Sequence, residues 1–147
     1  MHFSPDPYAK FNASKLAVAF VVSNSRIAEV ETMVTKHKKF FEKEVFEVIC
    51  TTVGARQMDK ILGKKVIYTP SDNLGGAEVV ASKIVAGQVD VLILLIDELK
   101  EYQPHMVSID ALKRTAGLFM TQIVTCELTM ECLIDNCSYP FMMQELL

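Results

Sequence analysis

Asp97 and His105 are the two residues of this chain whose types and order fit acid–base chemistry. Asp97 closes the longest apolar run, Val89–Ile96, and His105 follows in a polar stretch with Pro104. A carboxylate at a semi-buried strand end accepts protons, and an imidazole titrates near neutrality. Taken singly, each fits equally well as a solvated strand-end acid and a surface-loop histidine. Around them stand small hydroxylated residues that precede helix starts: Ser23-Asn24-Ser25, Thr51-Thr52, Thr69 through Gly76 with Ser71, and Thr125-Cys126-Glu127. A hydroxyl beside free backbone N–H groups is how a helix N-terminus holds an anion, and Thr51-Thr52 fits a phosphate best. Any one of these is also an ordinary N-cap, but several on one rim favour a site. Gly75-Gly76 either lets a ligand approach the backbone or simply turns the chain.

The elements that must carry these groups follow from the apolar patterning. Val89–Ile96 runs almost without alternation, broken only by Asp90, so it predicts a strand covered on both faces, central in a parallel sheet. Lys15–Val22 is a second such strand, and Ser23-Asn24-Ser25 are expected to cap a helix from Arg26 to about Lys43, striped by Ile27, Val30, Met33, Val34 and Phe41. Val45–Cys50, Lys64–Tyr68 and Phe119–Thr125 complete five strands. Helices are expected over Val53–Leu62, closed by Gly63, and over Ala77–Ala86, Ile109–Leu118 and Thr129–Asn136. Strands alternating with helices define an α/β class, a mostly parallel sheet between two helical layers. In open sheets of this kind ligands gather outside the carboxyl ends of the strands, which is where the polar stretches fall.

At 147 residues the chain suits one domain over 15–147 behind an irregular arm, Met1–Ser14, and such a domain buries roughly 70% of its unfolded surface. Half the residues are hydrophobic and 22% are charged, which excludes disorder. A net charge of −3 without a basic patch argues against nucleic acid as a partner. Met1–Ser14 lacks the apolar core of a signal peptide, and no apolar run approaches the ~20 residues of a membrane span, so a soluble cytoplasmic protein is expected. The four cysteines form no paired CxxC and predict reduced, mostly buried thiols, while the three histidines make no zinc-like spacing.

Several motifs together resemble the methylglyoxal synthase family. The resemblance spans Lys15 to about Ile134. It is strongest from Gly75 to Leu99 (GGAEVVASKIVAGQVDVLILLIDEL), then at Pro104-His105 and Ala111–Ala116 (ALKRTA), with Lys36-His37 and Cys50-Thr51-Thr52-Val53 in support. It implies a three-layer α/β/α sandwich of Rossmann-like type, usually a homohexamer, that converts dihydroxyacetone phosphate to methylglyoxal and phosphate without cofactor or metal. The same fold serves elsewhere as an allosteric ligand domain. Family chemistry needs a carboxylate base, a histidine for proton movement at the enediolate oxygens, and threonines and a lysine for the phosphate. Thr51 and Thr52 match the phosphate threonines, Asp97 matches the aspartate at the strand end, and His105 matches the histidine after a loop one residue longer.

Elsewhere the sequence departs from the family pattern. The glycine-glycine-aspartate that supplies the base reads Gly75-Gly76-Ala77, and the histidine-aspartate after the first strand reads Ser23-Asn24. The phosphate-binding lysine falls on Ile27, with Arg26 beside it as a displaced replacement, and the aspartate after the histidine falls on Ser108. Cys50 and Val53 stand for the two glycines of the phosphate loop. Alanine accepts no proton, and losing one acid–base group typically costs about 10²–10⁴ in rate. The expectation is therefore a family-like protein that binds a small phosphorylated or otherwise anionic metabolite. Thr51, Thr52, Ser71, Gly75, Gly76 and Arg26 would hold the anion, with Asp97 and His105 facing the rest of it, and the lyase chemistry would be lost or altered. The alternative keeps a working synthase with Glu78 or Asp72 as substitute base. A third reading, assembly alone, rests on the apolar tail Tyr139–Leu147.

Overall fold

Every residue of Leu16–Val22 is buried, and this strand, β1, is the middle of the sheet. The computed structural model describes residues 16–51, 55–63, 66–71, 74–97 and 106–137. The expected N-terminal arm, the start of the third strand at Lys64 and the tail Tyr139–Leu147 lie outside them. β2 (Val45–Cys50), β3 (Val66–Tyr68), β4 (Val91–Leu95) and β5 (Gln122–Val124) complete a parallel sheet in the order β3-β2-β1-β4-β5. The centre is thus β1, not the Val89–Ile96 run, which supplies the interior strand β4 between β1 and β5.

Both strands are covered on both faces, as their unbroken apolar runs require. From β4, Val91, Ile93 and Leu95 enter one core, while Leu92, Leu94 and the following Ile96 enter the other. The first core is closed by α1 (Ile27–Lys36), α2 (Lys38–Lys43), α3 (Ala55–Leu62) and α6 (Glu127–Cys137). The second is closed by α4 (Gly76–Val85) and α5 (Met106–Leu118). The result is a three-layer α/β/α sandwich.

Asp90, the one break in the apolar run, ties two strands together. Its Oδ2 accepts the Ala17 backbone N–H at 2.8 Å, and its own N–H donates to the Ala17 carbonyl. The carboxylate thereby terminates the β1–β4 ladder with a charge-assisted bond.

Three expectations are corrected. The single helix 26–43 is interrupted at His37, after a short 3-10 turn over Asn24–Arg26. The break re-aims the chain so that Phe40 and Phe41 are both buried, with the Phe41 ring stacked 6.0 Å from that of Phe20. No glycine or proline marks it, so packing rather than backbone chemistry decides it. β5 is shorter than expected because Phe119 and Met120 turn the chain, Met120 with a φ of 57°. Of the thiols, Cys50 is buried but Cys126 and Cys132 are exposed, the latter on the outer side of α6 between the inward-facing Met130 and Leu133. None of these three is in a disulfide, as reduced thiols require.

Candidate functional site

The strand order reverses between β1 and β4, since the chain builds outward from β1 through β3 and then returns to the other side. Loops leaving the carboxyl ends of such a pair diverge and open a crevice. A cavity of about 580 Å³ lies there. Among the described residues, Ser25 and Arg26 line it from the end of β1, Leu94, Ile96 and Asp97 from β4, Lys113 from α5 and Thr125 from the end of β5. Its size falls in the range of small-molecule sites, roughly 300–1,000 Å³.

Ser23 and Ser25 do not cap the following helix as expected. The Ser23 hydroxyl accepts the Asp97 backbone N–H at 3.1 Å, and the Ser25 hydroxyl donates to Asp97 Oδ2 at 3.1 Å. Ser23 also donates its backbone N–H to the Leu95 carbonyl at 2.8 Å. These serines therefore lace the two diverging strand ends together and orient the Asp97 carboxylate. Arg26 adds to the lacing. Its Nη1 donates to the Ile96 carbonyl at 3.1 Å, while Nε and Nη2 hold Glu29 side-on, each at 2.8 Å. Glu29 is the chief cause that raises the Arg26 pKa, with Asp97 and Cys126 contributing, so the guanidinium stays charged.

Of the other expected residues, those that are described lie outside the lining of this cavity. Thr51 is fully buried, and its hydroxyl donates to the Phe20 carbonyl at 3.3 Å. Ser71, Gly75 and Gly76 form the corner that opens α4, where the Ser71 carbonyl accepts the N–H groups of Leu74 and Gly76, both at 2.9 Å. Glu78, exposed in the first turn of α4, accepts the Ser108 hydroxyl and its own backbone N–H, and Ser108 chiefly holds its carboxyl below the usual carboxylate range. Thr52, Asp72 and His105 lie outside the described residues. The structure therefore brings Arg26 and Asp97 together at the cavity and puts Ser71, Gly75, Gly76 and Glu78 at the α4 corner.

Lys113 is a site residue that sequence reasoning misses. It sits in mid-helix, and only the packing of α5 beside β4 brings it to the cavity, so no local signal marks it. Beside Thr125, the exposed Cys126 thiol is lowered in pKa, chiefly by the Thr129 hydroxyl at 3.0 Å and in smaller part by Arg26. The group among the described residues with metal-ligand types at close range is His37, Glu127 and Glu131. Lys36 Nζ already lies 2.9 and 2.7 Å from those two carboxylates and supplies the positive charge there. No helix among the described residues is long and apolar enough to cross a membrane.

The sequence matches no family model. It is 29% identical to the methylglyoxal synthase of Agrobacterium fabrum over 119 residues, 80% of this chain and 91% of that protein. Against the methylglyoxal synthase of Rhizobium rhizogenes it is 35% identical over 88 residues, 60% of this chain and 69% of the relative. The chain belongs to the methylglyoxal synthase family. Its fold matches the crystal structure of methylglyoxal synthase from Elizabethkingia anophelis with a TM-score of 0.71 and 26% identity, over 87% of this chain and 80% of that one.

The positions that the sequence marks as departures from the family pattern have distinct surroundings. Ala77 is 1% exposed and packs into the second core. The Ser23 hydroxyl accepts the Asp97 backbone N–H. Ile27 packs against the first core. Ser108 is engaged with Glu78.

Proposed function

We propose that this chain binds a small phosphorylated or otherwise anionic metabolite at the carboxyl-end rim of its sheet and does not carry out the methylglyoxal synthase reaction. The observation that carries this reading is the burial of Ala77 at the position where the resemblance expects the base, taken together with a cavity at the strand switch point that is lined by Arg26, Lys113 and Asp97. A proton abstracted next to a carbonyl must go to an acceptor, and alanine offers none. Glu78, the nearest carboxylate in sequence, is engaged by Ser108 and by its own amide, and a residue one step along a helix is rotated by about 100°. Such a module fits a regulatory ligand domain or a different reaction on the same scaffold. Thr52 and His105 belong to this proposal as the residues that complete the anion grip and face the ligand, and a homo-oligomer, a hexamer by family resemblance, belongs to it as the assembly.

Methylglyoxal formation from dihydroxyacetone phosphate tests the reading directly. The expected result is no turnover by the wild type, together with a saturable rise in Tm with one or more anionic metabolites, as mass action requires of a ligand that binds the native state. Turnover that Asp97→Asn abolishes would overturn it, and turnover that Glu78→Gln or Asp72→Asn abolishes would establish the substitute-base alternative.

A further inference from the structure

Outside the lining of the strand-end cavity, α1 and α6 meet at a cluster of charged and metal-ligating side chains. Glu127 and Glu131 are four residues apart on α6, so their carboxylates stand on one helix face. His37, at the joint between α1 and α2, turns its Nε2 to Glu127 Oε1 at 3.2 Å, and its side chain is only 13% exposed. One ligand atom from each of these three residues lies within 4.8 Å of the other two. Lys36 Nζ stands 2.9 Å from Glu127 Oε1 and 2.7 Å from Glu131 Oε1, so the two carboxylates already grip one cation between them.

A surface ion pair needs only opposite charges, whereas here an imidazole nitrogen joins the carboxylates. The spacing also suits a metal. Zn²⁺ holds nitrogen and oxygen ligands at about 2.0–2.2 Å, so tetrahedral neighbours stand roughly 3.3–3.5 Å apart, and His37 Nε2 and Glu127 Oε1 are already near that separation. The ligands are carried by a helix face and by a half-buried helix joint, both of which hold them in place. Lys36 is held differently. Its side chain is more than half exposed, and its flexible stem can swing the ammonium into solvent. A metal ion entering the cluster displaces that ammonium and takes over both carboxylates. His37 then gives the Nε2 lone pair and carries its ring proton on Nδ1. An imidazole with two carboxylates favours Zn²⁺ over Mg²⁺ or Ca²⁺, which take oxygen ligands.

We propose that His37, Glu127 and Glu131 form a zinc site that clasps the α1–α2 joint to α6, with Lys36 as the counter-ion that holds the carboxylates until the metal displaces it. No contiguous motif announces such a site. His37 and Glu127 are 90 residues apart, and they meet only because α1 and α6 close the same core.

The test titrates the full chain, without an affinity tag, with Zn²⁺ by calorimetry and with Co²⁺ as a spectroscopic reporter. The expected result is saturable one-to-one binding, with Mg²⁺ at least about a hundredfold weaker and a Co²⁺ spectrum of nitrogen and oxygen coordination. Zinc also raises Tm, as a ligand of the native state must. His37→Gln and Glu131→Gln each weaken zinc by about tenfold or more, and Lys36→Gln tightens it by roughly threefold or more, with the metal-free Tm of all three near wild type. A zinc affinity unmoved by His37→Gln and Glu131→Gln, or lowered by Lys36→Gln, overturns the inference. So does a thiolate-to-cobalt charge-transfer band, which puts the metal on the exposed Cys126 and Cys132 instead. None of the three ligands lines the strand-end cavity, so either result leaves the rim reading standing.

Discussion

Replacing Gly76 with alanine probes the corner that opens α4. A Cβ built on Gly76 would lie 2.0 Å from the Pro70 carbonyl oxygen and 2.9 Å from the carbonyl carbon and oxygen of Ser71. Non-bonded carbon contacts relax only near 3.5 Å, so the Pro70-Ser71 backbone must retreat by about 1.5 Å. It cannot do so freely, because the Ser71 carbonyl holds both the Leu74 and the Gly76 N–H at 2.9 Å. Overpacking costs roughly 1–3 kcal/mol and a strained or lost backbone bond about 1 kcal/mol, giving an expected loss of about 2–4 kcal/mol. For a domain of this size that corresponds to a fall in Tm of roughly 5–15 °C. Gly75→Ala is the control. Gly75 has a φ of 92°, so alanine there is strained by roughly 1–2 kcal/mol, but the new methyl meets only Glu78 Oε2, at 3.9 Å. Urea denaturation followed by circular dichroism gives both values. A Gly76→Ala variant within about 0.5 kcal/mol of wild type, or less damaged than Gly75→Ala, would refute the steric argument.

Two further substitutions test the packing of the rim and sheet. Asp90→Ala strips the acceptor from the backbone N–H of Ala17, a residue 2% exposed, and is expected to cost about 1–3 kcal/mol in the same denaturation assay, with Asp90→Asn recovering most of it. The Glu78 carboxyl, held below the ordinary range chiefly by Ser108, contributes stability that is complete above its unfolded-state pKa and fades as pH falls through the folded one. Ser108→Ala should move the Glu78 titration, followed by carboxyl NMR, upward toward the ordinary carboxylate value, and an unmoved titration would exclude the bond as its cause.

The physics of burial explains which elements are legible in the chain. Strand segments covered on both faces have to be apolar at every position, so Val18 through Val22, Val48 through Cys50 and Val91 through Leu95 stand out without any knowledge of their neighbours. The helix break at His37 carries no such mark, because it is set by where Phe41 finds room against Phe20 and Phe40 against Phe41. Local chemistry favours the serines after β1 as caps. In the folded chain β4 brings the Asp97 backbone and carboxylate within reach, and a charged partner is the better acceptor for a hydroxyl.

The sequence by itself determined the α/β class, the strand positions, the family and the rim on which polar residues collect, since each depends on local periodicity or on motifs that are contiguous in the chain. Tertiary structure alone decided that β1 is the centre of the sheet, that Ala77 is packed into the core, and that Lys113 joins Arg26 and Asp97 at one cavity. Those residues are far apart in the chain, and only the crossover from β3 back to β4 beside β1 brings them together.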